Sequence, residues 1–348
     1  MPSDVEADRL ESAPKSTEIA ETEFAEIVRA GIPGPHLEFP DPSPVVRADA
    51  LRRSPPEIPE VEFAEFCRGE IASFSMKSPR KETANEDAYA SIFVTEERGM
   101  LLVADGLGGH RGGRKASNLL KTSLTKVVPR LLPRPSNSIL ISKVIDVPVP
   151  GDRGEPDSRS VLLDQIEKVN KRLIRSRMGA GTTLALVEIK GKRVRTFHAG
   201  DSEILIMSQR GNLKYSTVSH SPIGYAFESG MMTEEEAILH PDRHLVSNVV
   251  GSDLMSIEMG PWITLSARDT VLLATDGLFD NLLQSEIVEI LRIGRLHESV
   301  AELAEIAIQR MLSPMEDFPS KPDDLTILAY RGSRTRRKRK SEKNAVRK

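Results

Sequence analysis

The sequence predicts an α+β domain with sheets inside and helices on the outer faces. Two observations carry this. Residues 182–218, TTLALVEIKGKRVRTFHAGDSEILIMSQRGNLKYSTV, hold short apolar runs punctuated by Gly-Lys, Gly-Asp and Gly-Asn. That spacing predicts an antiparallel meander, with connections too tight for crossover helices. Long stretches of helical periodicity lie before and after it, and helices set apart from a run of hairpins pack on the outside of the sheet layers.

Taken in order, residues 1 to 60 read as an acidic, polar leader without a core. Residues 31–60 hold eight prolines, each lacking an amide donor and fixing its own φ, which opposes regular structure. Within the leader only Glu21 to Arg29 has the pattern of a short amphipathic helix. The domain is expected over 61–331. GMLLVADG reads as a buried strand, and Arg114 to Val128, with Leu119, Leu120, Leu124 and Val127, as a helix. Residues 133–158 are rich in Pro, Ser, Gly and Asp and read as a surface excursion. Val161 to Arg177 returns to helical spacing before the meander. Beyond it come a short helix at 233–240, a strand at 270–275, two helices within 285–312 and a final strand at 325–330. The last segment, 332–348, reads as a basic tail.

Composition narrows the function classes. Cys67 is the single cysteine of the 348 residues, so a disulfide framework is excluded and a reducing, cytoplasmic setting fits. No apolar stretch approaches the ~20 residues that span a bilayer, and the leader lacks a signal-peptide core. Residues 331–348 hold ten Lys/Arg against Glu342 alone, which leaves the remainder at −12 of the total −3. Such a tail reads first as a solvated arm, and second as an electrostatic contact for nucleic acid, anionic lipid or an acidic partner. HExxH, CxxC, GxGxxG and the GK[ST] ending of a nucleotide loop are all missing, although GLGGHRGGRK is rich in glycine. Cys67 is followed by RGEIAS, without the arginine that a phosphatase cysteine nucleophile needs six positions on.

What remains is a series of carboxylates at strand ends and turns. These are Glu86-Asp87 in NEDAYA, Asp105 in ADGLGGH, Asp201 in AGDSE, Asp276 in TDGL and Asp323-Asp324 in PDDLTI. One Asp-Gly alone is ordinary turn sequence. Several, flanked by β-forming apolar residues, imply acids delivered rigidly, with glycine letting a backbone carbonyl approach closely. Carboxylates gathered in this way repel one another unless a cation intervenes, and hard divalent ions such as Mg²⁺ or Mn²⁺ take oxygen ligands.

The order NED, ADGLGGH, GAGTT, AGDS, ATDGLFDN, PDDLTI resembles the metal-dependent type 2C (PPM) protein serine/threonine phosphatases in their bacterial-like form, over about Phe63 to Tyr330. ESGMMTEEEAILHPDRHLVSNVVGS resembles that family's flap. The resemblance implies a four-layer α/β/β/α sandwich, two antiparallel sheets packed together between helical pairs. It implies two Mn²⁺ or Mg²⁺ ions at one end of the sheets. Asp87 matches the first metal-binding aspartate and Glu86 a neighbour acting through water. Asp105 matches the aspartate that bridges the metals, the Gly106 carbonyl a further ligand, and Asp276 and Asp323 the remaining ones. Asp201 with Asp276 matches a third, weaker site. The implied activity is hydrolysis of phosphoserine and phosphothreonine in proteins, by a monomer whose partners are phosphoproteins and a Ser/Thr kinase with its targets.

The chain also departs from the family. The usual phosphate-binding arginine position is Glu82, leaving Arg80 or Lys81 as candidates, or metal alone. Leu107 replaces the histidine of animal members, which assigns leaving-group protonation to water. Glu203 replaces the usual arginine of GDSR. His110 reads as a helix-start histidine, His198 as a structural one, and Met231-Met232 as gap-filling. Two alternatives follow: a catalytically weakened phosphatase-like binding module, and a metal-dependent nuclease drawn to DNA by the tail. The second is opposed by the acidic remainder of the chain, which repels a polyanion.

Overall fold

The computed structural model describes residues 58–108, 112–131, 158–314 and 318–333. Residues 1–57 of the leader with its Glu21–Arg29 pattern, 133–157 of the expected excursion, His110 and residues 334–348 of the basic tail lie outside the described residues.

The chain opens with the hairpin β1 (Glu62–Phe66) and β2 (Gly69–Met76), then β3 (Ala88–Thr95), β4 (Arg98–Ala104) and the short β5 (Gly106–Leu107). Helices α1 (Gly112–Leu131) and α2 (Ser158–Ser176) follow, then β6 (Gly181–Thr182), β7 (Leu184–Lys190), β8 (Arg193–Ala199), β9 (Glu203–Met207) and β10 (Leu213–Ser216). The segment from 219 to 259 carries α3 (Pro222–Glu228), α4 (Glu234–Leu239), a 3₁₀ turn (Pro241–His244) and β11 (Glu258–Met259). Last come β12 (Ile263–Thr264), β13 (Thr270–Ala274), α5 (Asp276–Phe279), α6 (Gln284–Leu291), α7 (Leu296–Leu312) and β14 (Leu325–Gly332).

These strands build two antiparallel sheets, ordered β1-β2-β14-β13-β9-β10 and β11-β8-β7-β4-β3, with β12 also pairing β8. β4, β7 and β13 are buried along nearly their whole length because both faces are covered. Alternate residues of each strand pack on opposite sides. Leu101, Val103 and Val187 of one sheet meet Ile204, Ile206, Val271 and Leu328 of the other in a central layer. Leu102, Leu186 and Phe197 face α1 and α2 through Leu120, Leu124 and Ile166. Phe74, Leu272 and Ile327 face α6 and α7 through Ile287, Leu291, Leu303 and Ala307. The sheets are thus packed together with helices on both outer faces, as the resemblance implied.

Two expectations need correction. The single meander is two hairpins in different sheets: β7–β8 belong to one and β9–β10 to the other. The chain changes sheets at Gly200, whose φ of +113° suits glycine, and an added Cβ there would lie 2.7 Å from Thr183. That change of sheet places Asp201 between the layers. Met231 does not fill a gap, since it stands 82% exposed.

Candidate metal centre

Register delivers the acids to one end of both sheets. Ala88 pairs with Ala104, so Asp87 just before β3 and Asp105 just after β4 emerge side by side. In the facing sheet Ala274 pairs with Glu203 and with Ile327. That register puts Asp201 before β9, Asp276 after β13 and Asp323 before β14 at the same end. Both Asp-Gly glycines are required by close approach of backbone. A Cβ on Gly106 would lie 2.3 Å from the Gly113 carbonyl and 2.7 Å from the Glu86 carbonyl, and one on Gly277 would lie 2.0 Å from the Asp324 carbonyl.

The threonines and serines of the motifs hold these ends in place. The Asp105 amide donates to Thr183 Oγ1 at 2.8 Å, and its carbonyl accepts from the Thr182 hydroxyl at 2.7 Å. Thr183 Oγ1 lies 2.6 Å from Ser202 Oγ, which ties the Asp105 end to the Asp201 crossing. Across the centre, the Thr275 hydroxyl donates to Asp87 Oδ2 at 3.0 Å and accepts from the Thr326 amide at 3.0 Å. Asp324 staples the 77–86 loop: Oδ1 accepts from the Ser78 amide, and Oδ2 from the Glu86 amide and Lys81 Nζ.

The electrostatics are those of a buried cluster of acids. Glu86, Asp87 and Asp201 are each 8% exposed. Burial, reinforced by neighbouring Asp324 and Asp276, pushes the Asp87 carboxyl up to about 8. Burial and the charge of Asp276 do the same to Asp201, also about 8. Asp105 is raised well above the carboxylate range by burial and by Asp87, Asp276, Asp201 and Asp323, and Asp323 reaches about 7. Oε1 of Glu86 and Oδ1 of Asp87 and Asp201 are buried without a hydrogen-bond partner. Oxygens buried in this state cost free energy unless a cation satisfies them. An all-oxygen set of hard donors suits a divalent ion of the Mg²⁺ or Mn²⁺ kind. The residues present therefore fit the implied metals.

Two lysines bond acids of this cluster, and the sequence motifs singled out only one of them. Lys81 Nζ bonds Glu86 Oε2 at 2.6 Å and Asp324 Oδ2 at 2.7 Å; burial opposes its charge, but these bonds raise it to about 12. Arg80 points away, donating to the Leu312 carbonyl at 3.2 Å on the exposed side. Lys321 Nζ bonds Asp276 Oδ2 at 2.7 Å and Asp280 Oδ2 at 2.5 Å. Asp280 went unassigned because in TDGLFD it looks like any helix-end acid. Lys321 carries no motif; its signal is a cation two residues before Asp323.

Behind Gly200 a histidine pair braces the crossing. His198 lies 2.9 Å from the Ser202 carbonyl through Nε2, and burial, then His220, lower its pKa to about 3. His220 Nδ1 accepts from the Gly200 amide at 3.1 Å, so Nε2 carries the proton toward Glu258. That tautomer opposes a metal held between His198, His220 and Glu258, although their ligand atoms lie within 4.8 Å of one another. The buried Cys67 thiol, raised to about 12 by burial, is remote from nucleophile chemistry.

The sequence model for protein phosphatase 2C matches residues 77–314. The chain belongs to the protein phosphatase 2C family. The match ends before Asp323, which β14 carries to the site through its pairing with β13 and β2. Among relatives, this phosphatase 2C chain is 26% identical to the serine/threonine phosphatase stp of Listeria welshimeri over 246 residues, 69% of this chain and 88% of that one. Among solved structures, it resembles the serine/threonine phosphatase of S. agalactiae with a TM-score of 0.60, at 24% identity over 76% of this chain and 99% of that one. It also resembles the catalytic domain of the protein phosphatase PstP, solved with two manganese ions, with a TM-score of 0.58, at 22% identity over 79% of this chain and 99% of that one. The structural likenesses show a shared fold. No helix among the described residues is long and apolar enough to cross a membrane.

Proposed function

We propose that the chain hydrolyses phosphoserine and phosphothreonine in proteins, using two Mn²⁺ or Mg²⁺ ions held by Glu86, Asp87, Asp105, the Gly106 carbonyl, Asp276 and Asp323. One observation carries this reading: two strand pairs in facing sheets converge on carboxylates whose buried oxygens lack partners. When bound, the ions supply Lewis acidity that activates a water and offsets charge on the phosphoryl oxygens. The chain's part is positioning. The Thr182–Thr183 bonds fix the Asp105 end, and the Thr275 hydroxyl fixes one oxygen of Asp87, leaving Oδ1 free for a cation. Lys81, held against Glu86 and Asp324, is the cation this reading assigns to the phosphate, whereas Arg80 would have to leave Leu312 to take that part.

This reading extends to phosphoprotein partners, a Ser/Thr kinase with its targets among them, to a cytoplasmic monomer, and to a catalytic domain spanning 61–331. The complete set of Asp87, Asp105, Asp276 and Asp323 speaks against a catalytically weakened binding module.

The test is turnover of a phosphothreonine peptide with Mn²⁺, Mg²⁺ and EDTA. Activity should need metal and fall at least about 10³-fold in Asp105→Asn, a loss in the range for removal of a main electrostatic element. Lys81→Met should raise KM, and Arg80→Ala should leave it unchanged. Metal-independent turnover, or an active Asp105→Asn, would sink the reading.

A further inference from the structure

The third cation expected at Asp201 and Asp276 meets a competitor in this chain. Three acids converge there: Asp201 from the sheet crossing, Asp276 at the start of α5, and Asp280 just past its end. Lys321 Nζ bonds two of these acids, 2.7 Å from Asp276 Oδ2 and 2.5 Å from Asp280 Oδ2, and lies 3.6 Å from Asp323 Oδ2. Its charge also bears on Asp201, whose proton affinity it lowers against the pull of burial and Asp276.

The lysine is built into this position. Its amide donates to Asn281 Oδ1 at 2.9 Å and its carbonyl accepts from Asn281 Nδ2 at 2.9 Å. Asn281 is fully buried and also bonds the Gly277 carbonyl at 2.9 Å, so one side chain joins the Asp276-Gly277 turn to the lysine backbone. Pro322 follows and restricts the backbone at Lys321. The side chain is 20% exposed and its charge is held well above the ordinary lysine range: burial works against it, but Asp276 and Asp280 outweigh burial. Three donors on a compact ammonium can engage three carboxylates at once.

We propose that the Lys321 ammonium occupies the third-cation position, so that this phosphatase works with two metal ions and a lysine where Asp201, Asp276 and Asp280 would otherwise hold a third. The inference rests on the two-metal reading above and concerns only the third position. A divalent ion seeking the same oxygens would sit within a few ångströms of a positive charge in a partly buried site, where repulsion is weakly screened. The lysine supplies its charge at every metal concentration, whereas a weakly bound third ion would come and go.

Calorimetric titration of the metal-free, full-length protein with Mn²⁺, together with elemental analysis, tests this by counting ions. Wild type should take up two Mn²⁺ per chain. Lys321→Met, neutral and of similar length, should take up three, the added one weaker than the other two. Asp280→Asn introduced into that variant should return the count to two. In wild type, Asp201→Asn should leave the count at two. This comparison decides the matter even if Lys321→Met does not fold. Three ions in wild type, or two in a folded Lys321→Met, would overturn the lysine assignment alone. An absence of Mn²⁺ binding by wild type would overturn the metal centre with it, so the two failures are distinguishable.

Discussion

The two Asp-Gly strand ends share a sequence signature and differ in how their charge is held. At the first, Asp105 follows the buried β4, its backbone is gripped by Thr182 and Thr183, and like charges surround its carboxylate. At the second, Asp276 follows the equally buried β13, opens α5 and already has a cation, Lys321. The glycines play the same part in each, admitting a neighbouring carbonyl where a side chain would collide. Backbone geometry is therefore common to both ends, whereas charge compensation is not. On the two-metal reading the Asp105 end would depend on bound cations for neutrality, and the Asp276 end carries part of its own.

The largest effect that would sharpen this comparison concerns geometry. Gly277→Ala places a methyl 2.0 Å from the Asp324 carbonyl, and Gly106→Ala places one 2.3 Å from Gly113. Backbone rather than a flexible side chain is struck in both cases. Each should lose about 3 kcal/mol or more, a melting shift of roughly 6 °C or greater. Thermal melts of the two variants would break the equivalence of the ends if one tolerated the methyl.

A smaller effect follows from charge. Asp87 and Asp201 at about 8 and Asp323 at about 7 sit above the ~4 of a free carboxylate, so the folded, metal-free protein keeps protons that the unfolded chain has released. Its stability is thus greatest below about pH 4 in this contribution, and is lost as pH rises through 7 to 8. With EDTA the melting temperature should fall between pH 5 and 8. Saturating Mn²⁺ should remove or reverse that fall, because bound cations favour the deprotonated oxygens. Identical slopes with and without Mn²⁺ would contradict the assignment of Asp87 and Asp323 to a metal centre.

Much of this was legible in the residues. GMLLVADG and the helical stretches around 114–128, 161–177 and 285–312 appear where periodicity put them, since burial of one face imposes the pattern. The carboxylates were legible because strand ends with Asp-Gly are local signals. What escaped was non-local or unmarked. The β1–β2 hairpin turns through Cys67 and Arg68, at φ of 45° and 57°, without the glycine or asparagine that advertises such a turn. The change of sheet at Gly200 looks like any hairpin connection until partners are known. The choice of Lys81 over Arg80 depends on which way a loop points adjacent side chains, and hydropathy holds no record of that. Lys321 escaped because its meaning lies entirely in Asp276 and Asp280, 45 and 41 residues upstream.

The claim that the two strand ends serve one centre is tested most directly by a double-mutant cycle. Turnover of the phosphothreonine peptide in saturating Mn²⁺ would be measured for Asp105→Asn, Asp276→Asn and the two combined. Residues acting as one unit give grossly non-additive losses. The double variant should therefore be no worse than the weaker single variant, within a few-fold. Losses that multiply would mean that Asp105 and Asp276 act independently, and would contradict a shared metal pair.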